Sequence, residues 1–159
     1  MPIIVQQEWY TKEQVQAERE KIFVFGDNLA REGNGGQAKA CRGEPNTIGI
    51  VTKWDKDRNP GSYMYDSTYE MNVSQITKDF EKVGEILGDR NRKDQIIVFP
   101  ADGFGTGLAN LKLNAPRTLE FVTKITNYYI LVSHVNGLDE QITDMTKELW
   151  PNGYFNYMR

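Results

Sequence analysis

Short apolar runs alternate along this chain with stretches in which apolar residues recur every three or four positions. The runs Ile3–Val5, Ile22–Phe25, Thr47–Thr52, Gln95–Phe99 and Tyr128–Ser133 predict strands. Helical spacing predicts a helix over Ser74 to Gly88, where Ile76, Phe80, Val83 and Leu87 share a side and Gly88 ends the run. A second is predicted after Asn114, which caps it, with Pro116 in its first turn and Leu119, Val122 and Ile125 along one side. Shorter helices are expected after the capping box Thr11–Gln14, over Gly36 to Arg42, and from Leu138 to Leu149. Asp55 to Ser67 is polar, carries Asn59-Pro60-Gly61, and reads as a long loop. Strands apolar throughout, alternating with one-sided helices, predict a mainly parallel sheet covered on both faces, a three-layer α/β/α domain.

Composition narrows the class. A chain of 159 residues with 39% hydrophobic and 26% charged residues suits one globular domain with a full core. No apolar stretch reaches the roughly 20 residues that span a bilayer, and the first residues lack a signal-peptide pattern. The net charge of −3, with scattered Lys and Arg, lacks the basic stripe of a non-specific nucleic-acid binder. Cys41 is the single cysteine, so no internal disulfide forms and a cytoplasmic setting is expected, with Cys41 as a small core residue. His134 is the single histidine; a multi-histidine metal site cannot be assembled, and a structural role is expected for it.

The chemistry is expected in loops beyond the carboxyl ends of strands. After Phe25 the chain turns at Gly26-Asp27-Asn28 and runs into Gly33-Asn34-Gly35-Gly36. After Pro100 it reads Ala101-Asp102-Gly103-Phe104-Gly105-Thr106-Gly107-Leu108. Glycine lets backbone N–H groups approach an anion closely, so two such loops can grip a diphosphate from opposite sides. The third candidate segment, Thr52 to Ser67, begins with Lys53.

These two loops, in this order, resemble the signatures of macrodomains, the ADP-ribose-binding modules. Asn28 stands where that family has an asparagine at a strand end. Gly33 to Ala40 overlies its glycine run, and Gly105-Thr106-Gly107-Leu108 is similar to its Gly-x-Gly-Leu segment. The resemblance covers about residues 20 to 135. It implies a macrodomain-like fold that binds ADP-ribose or a related nucleotide, with no cofactor and no metal. Asn28, Gly33, Asn34, Gly35, Gly36, Gly103, Phe104, Gly105, Thr106, Gly107 and Leu108 would contact the ligand. Lys53 resembles the catalytic lysine of the terminal-ADP-ribose glycohydrolase branch, whose amine attacks the anomeric carbon of the distal ribose. Ala109 stands where that branch has an assisting aspartate, so Asp27 or Asp102 would have to take the proton role. The Gly-Asp pair with which many macrodomains read adenine is absent before residue 20; Glu8 is the nearest acidic residue.

Each residue also has a plainer reading. Asn28 and Asp27 can close a turn, Lys53 can be a solvated lysine, and Phe104 can anchor its loop in the core instead of covering a ribose. The aromatic segment Trp150–Tyr157 can pack on the domain or offer a partner surface. Three functions therefore stand: a hydrolase acting on ADP-ribose linked to protein or nucleic acid or on a related ADP-ribose derivative, a reader that binds ADP-ribose or a nucleotide without turnover, and a small interaction or inhibitor protein of phage type. A monomer without membrane attachment is expected throughout.

Overall fold

A computed structural model describes residues 1–135 and 140–154. Strands β1 (Ile3–Gln7), β2 (Ile22–Asn28), β3 (Thr47–Lys53) and β4 (Ile96–Pro100) form one parallel sheet in the order β1-β4-β2-β3. Helices α1 (Lys12–Ala17), α2 (Ala38–Cys41), α3 (Tyr69–Leu87), α4 (Leu111–Asn114), α5 (Pro116–His134) and α6 (Glu140–Leu149) complete the described elements, with three short 3₁₀ turns. Among the described residues no helix is long and apolar enough to cross a membrane.

Alternation along β2 divides its side chains between two cores. Ile22 and Val24 join Ile4, Ile50, Ile97 and Phe99 under α3 and α5, while Phe23 and Phe25 join Val98, Val15 of α1 and Ala38, Ala40 and Cys41 of α2. Helices thus cover both faces, as the apolar strands require. Phe80 of α3 centres the larger core, with ring centroids 6.0 Å from Phe99, 5.7 Å from Phe104 and 5.3 Å from Tyr129.

Side chains close both sheet edges, which would otherwise offer unpaired backbone. On β3, the Val51 N–H donates to Asp79 at 2.8 Å and the Gly49 carbonyl accepts from Arg31 at 3.0 Å. On β1, the Ile4 N–H donates to Ser133 at 3.0 Å, and His134 Nε2 lies 2.9 Å from the Ile4 carbonyl, to which it donates. His134 therefore has a structural partner.

Several expectations are corrected. Tyr128–Ser133 is not a strand but the last part of α5. Phe121, Val122, Ile125 and Tyr129 are buried at helical spacing, and no Gly or Pro interrupts the run between Pro116 and His134. Asn114 ends α4, and Ala115 occupies the cap position before Pro116. Helix α3 begins at Tyr69, before Ser74, because buried Asn72 and Val73 extend its inward side. The capping box is half formed: Thr11 accepts from the Gln14 N–H at 3.1 Å, but the Gln14 amide pairs with Gln7 instead of reaching back. For the final helix, Leu138 and Asp139 lie outside the described residues, as do Phe155 to Tyr157 of the aromatic segment. Trp150 is buried against Phe121, Tyr128 and Tyr154, so the described part of that segment packs on the domain.

Candidate functional site

Neighbouring strands β2 and β4 send their chains to opposite faces of the sheet. The loop after β2 leads to α2 in the smaller core, and the loop after β4 leads to α5 in the larger one. Parallel sheets open a crevice at such a switch point. A cleft of about 510 Å³ lies here, lined by both glycine-rich loops, by the end of β3 and by the residues after β1. The residues expected from the sequence to form the site all line it: Asp27, Asn28, Gly33, Asn34, Gly35, Gly36, Lys53, Asp102, Gly103, Phe104, Gly105, Thr106, Gly107 and Leu108.

Where each side chain points differs from residue to residue. Phe104 is fully buried between Phe80 and Phe99, so its ring anchors the second loop in the core. That anchor is worth roughly 3–5 kcal/mol against truncation to alanine. Gly105 beside it has φ +81°, and a Cβ there would stand 2.2 Å from buried Leu111, so only glycine fits. Leu108 is exposed and lies across the cleft against Gly35, bringing the two loops into contact. The Asn28 amide donates to the Glu32 carbonyl at 2.7 Å and so closes its own loop. Helix α2 is a single turn, too short for much of a dipole; the loop backbone has to do the anion binding expected of it.

Asp27 is buried and held by two arginines. Arg42 donates to both of its oxygens, at 2.7 and 3.0 Å, and Arg31 adds a contact at 3.3 Å on its way to Asp79 at 2.8 Å. The Arg42 guanidinium also reaches the carbonyls of Gly33 and Glu32, both at 3.0 Å. Asp27 is thus spent on shaping the first glycine loop, and the proton role expected of it does not fit this pairing. Asp102 is exposed on the cleft rim and remains the carboxylate open to such a role.

Lys53 ends β3 at 8% exposure. Its Nζ donates to the Asp57 carbonyl at 2.8 Å and stands 4.6 Å from the centre of the Tyr63 ring. Burial pulls its pKa below the ordinary lysine value, with the Asp57 charge acting in the opposite sense. A lysine so placed loses its proton more readily than a solvated one, which is what a nucleophilic amine needs. Cys41 faces the smaller core, and burial pushes its thiol up to about 12.

The sequence reading missed Trp9, Gln37, Arg42 and Lys56, all of which line the cleft. The carboxyl-end rule points to Trp9 as it does to the other loops, since Trp9 lies two residues past the end of β1. Arg42 carried no local signal, because only folding brings it to Asp27. Among the described residues, no group of three or more His, Cys, Asp or Glu side chains is arranged to hold a metal ion.

No curated protein and no solved structure matches this chain. A family model described as a family of unknown function (DUF7831) matches it over residues 5–125, and the chain belongs to that family.

Proposed function

We propose that this chain is a macrodomain-like protein of three-layer α/β/α architecture that binds ADP-ribose, and that it releases ADP-ribose from a protein or nucleic acid to which it is linked. The observation that carries the reading is the meeting of two glycine-rich loops on one cleft at the β2/β4 switch point. Backbone N–H groups from either side suit a diphosphate. Lys53 then lies at the β3 end of the cleft, where the distal ribose would rest.

In the proposed reaction, the neutral Lys53 amine forms a bond to the anomeric carbon as the bond from that carbon to the linked group breaks. Asp102 takes the proton that the attacking nitrogen sheds and passes it to the leaving group. Water then adds its hydroxyl to the anomeric carbon as the carbon–nitrogen bond breaks, and its proton returns to the nitrogen, which frees ADP-ribose and restores the amine. Free ADP-ribose released from an ADP-ribosylated protein is the measurement. Release by the wild type, lost in Lys53→Ala and reduced in Asp102→Ala, supports the hydrolase.

Ala109 favours a second reading, since its methyl group lines the cleft where the branch resembled by Lys53 has an assisting aspartate. Tight binding of ADP-ribose without any release would make the protein a reader. Absence of both binding and release would reject the ADP-ribose reading altogether.

A further inference from the structure

We propose that Trp9 is a stacking platform for the base of the bound nucleotide, and that the cleft grips this base without reading its edge. The inference rests on the diphosphate reading and adds a specificity to it: nucleoside diphosphate sugars of more than one base are accepted.

Trp9 is 64% exposed, whereas the adjoining Tyr10 is 0% exposed. That contrast needs a mount, and the structure provides it. The Tyr10 ring packs 5.2 Å from Phe23, and its hydroxyl donates to the Val24 carbonyl. The Gln37 side chain grips the Tyr10 backbone at both groups, accepting from its N–H at 3.1 Å and donating to its carbonyl at 2.8 Å. Gln37 directly follows the first glycine run, so the mount of Trp9 and the loop meant for phosphate form one unit. The backbone that carries the indole is thus fixed, and the ring stands largely in water on the cleft wall, where it offers a large flat face.

The strand order sets the spacing. Trp9 follows β1 and Lys53 ends β3, with β4 and β2 between them. Three strand spacings amount to about 14 Å. The glycine loops leave from the two middle strands, so a base at Trp9, a diphosphate in the middle and a ribose at Lys53 fall in the order in which such a ligand is built.

The glutamine amides that line the cleft are already engaged. Gln7 and Gln14 pair with each other at 2.6 and 2.9 Å, and Gln37 spends both its polar atoms on Tyr10. Glu8 is exposed, and water competes there for any hydrogen bond that its carboxylate makes. Stacking tolerates every base, because each has a π face.

The test is titration calorimetry on the full chain with ADP-ribose and its guanine, hypoxanthine and uracil counterparts. For the wild type, the three purine forms are expected to bind within about threefold of one another. Trp9→Ala should weaken them all, by about fivefold to 150-fold, and Trp9→Phe far less. Glu8→Gln should change the order of preference little. Melting temperatures check that each variant remains folded, as substitution of an exposed residue allows. If Trp9→Ala binds ADP-ribose as tightly as the wild type, or if the purine forms differ by more than about tenfold, the stacking inference falls while the diphosphate reading stands. If the wild type binds none of the four, the diphosphate reading fails and takes this inference with it.

Discussion

Arg42 holds Asp27 by both carboxylate oxygens, Nη2 to Oδ1 at 2.7 Å and Nη1 to Oδ2 at 3.0 Å. The same guanidinium holds the carbonyls of Glu32 and Gly33, so one ion pair fixes both the end of β2 and the glycine loop that follows it. A bidentate pair of this kind is strong and directional.

Removing Asp27 leaves Arg42 and Arg31 without their shared carboxylate. Asp27→Ala is expected to cost about 3 kcal/mol, at the low end for a buried pair because both arginines partly meet solvent. For a chain of this size that lowers the melting temperature by about 6–12 °C. Arg42→Ala should cost at least as much, since it leaves the buried Asp27 carboxylate with Arg31 as its remaining arginine at 3.3 Å, and it should also lower ADP-ribose affinity, since it frees the loop carbonyls. Calorimetric unfolding and ligand titration of both variants check this order; an Arg42→Ala variant clearly more stable than Asp27→Ala would contradict it.

Glycines on the two loops should answer differently to alanine. Gly105→Ala drives a methyl group into Leu111, which is fully buried, at a positive φ. A loss of about 3 kcal/mol is expected from overpacking and backbone strain together. Gly35→Ala meets only the exposed Leu108 side chain, which can swing aside. Its stability should change by less than about 1 kcal/mol, while ligand affinity falls because the cleft narrows. Denaturant titration separates the two.

In the proposed reaction, Lys53 makes release of ADP-ribose pH-dependent. Its folded-state pKa lies below the 10.5 of an ordinary lysine. Between those two values the unfolded chain binds more protons than the folded one, so both stability and the fraction of neutral amine rise with pH. The release rate should climb with pH with a midpoint below 10.5; a rate that falls as pH rises towards 10.5 would exclude the amine as nucleophile.

Glu44 contributes to acid sensitivity. It accepts from Gln16 at 2.9 Å and pairs with Arg19 and Lys12 at 2.7 and 3.3 Å, tying α1 to the turn after α2. Hydrogen bonds from Gln16 and Arg19 hold its carboxyl down at about 2, against an ordinary 4.5. Its contribution is whole above 4.5 and disappears as pH falls from there towards 2. Glu44→Gln should flatten the pH dependence of stability within that window, which acid titration followed by circular dichroism can measure.

Cys41 should be inert. With its thiol pushed up to about 12 and its side chain in the core, an aromatic disulfide reagent at pH 8 should label it only after unfolding.

The four strands, the one-sided helices and the two glycine-rich loops were legible in the sequence because each rests on neighbours within a few positions. Continuous apolar runs, a proline in a first turn and clustered glycines are local signals. The same locality explains the failure at Tyr128–Ser133. A continuous apolar run satisfies a buried strand and a half-buried helix equally, and contact with the β1 edge and α6 decides between them. What the tertiary structure alone decided is the division of labour among the residues of the cleft. It turned Asp27 from an acid–base candidate into the anchor of a loop, drew Phe104 into the core and brought Trp9 to the mouth. Pairing partners fifteen or more positions apart, such as Arg42 and Asp27, leave no trace in a local pattern; their meeting depends on which strands become neighbours.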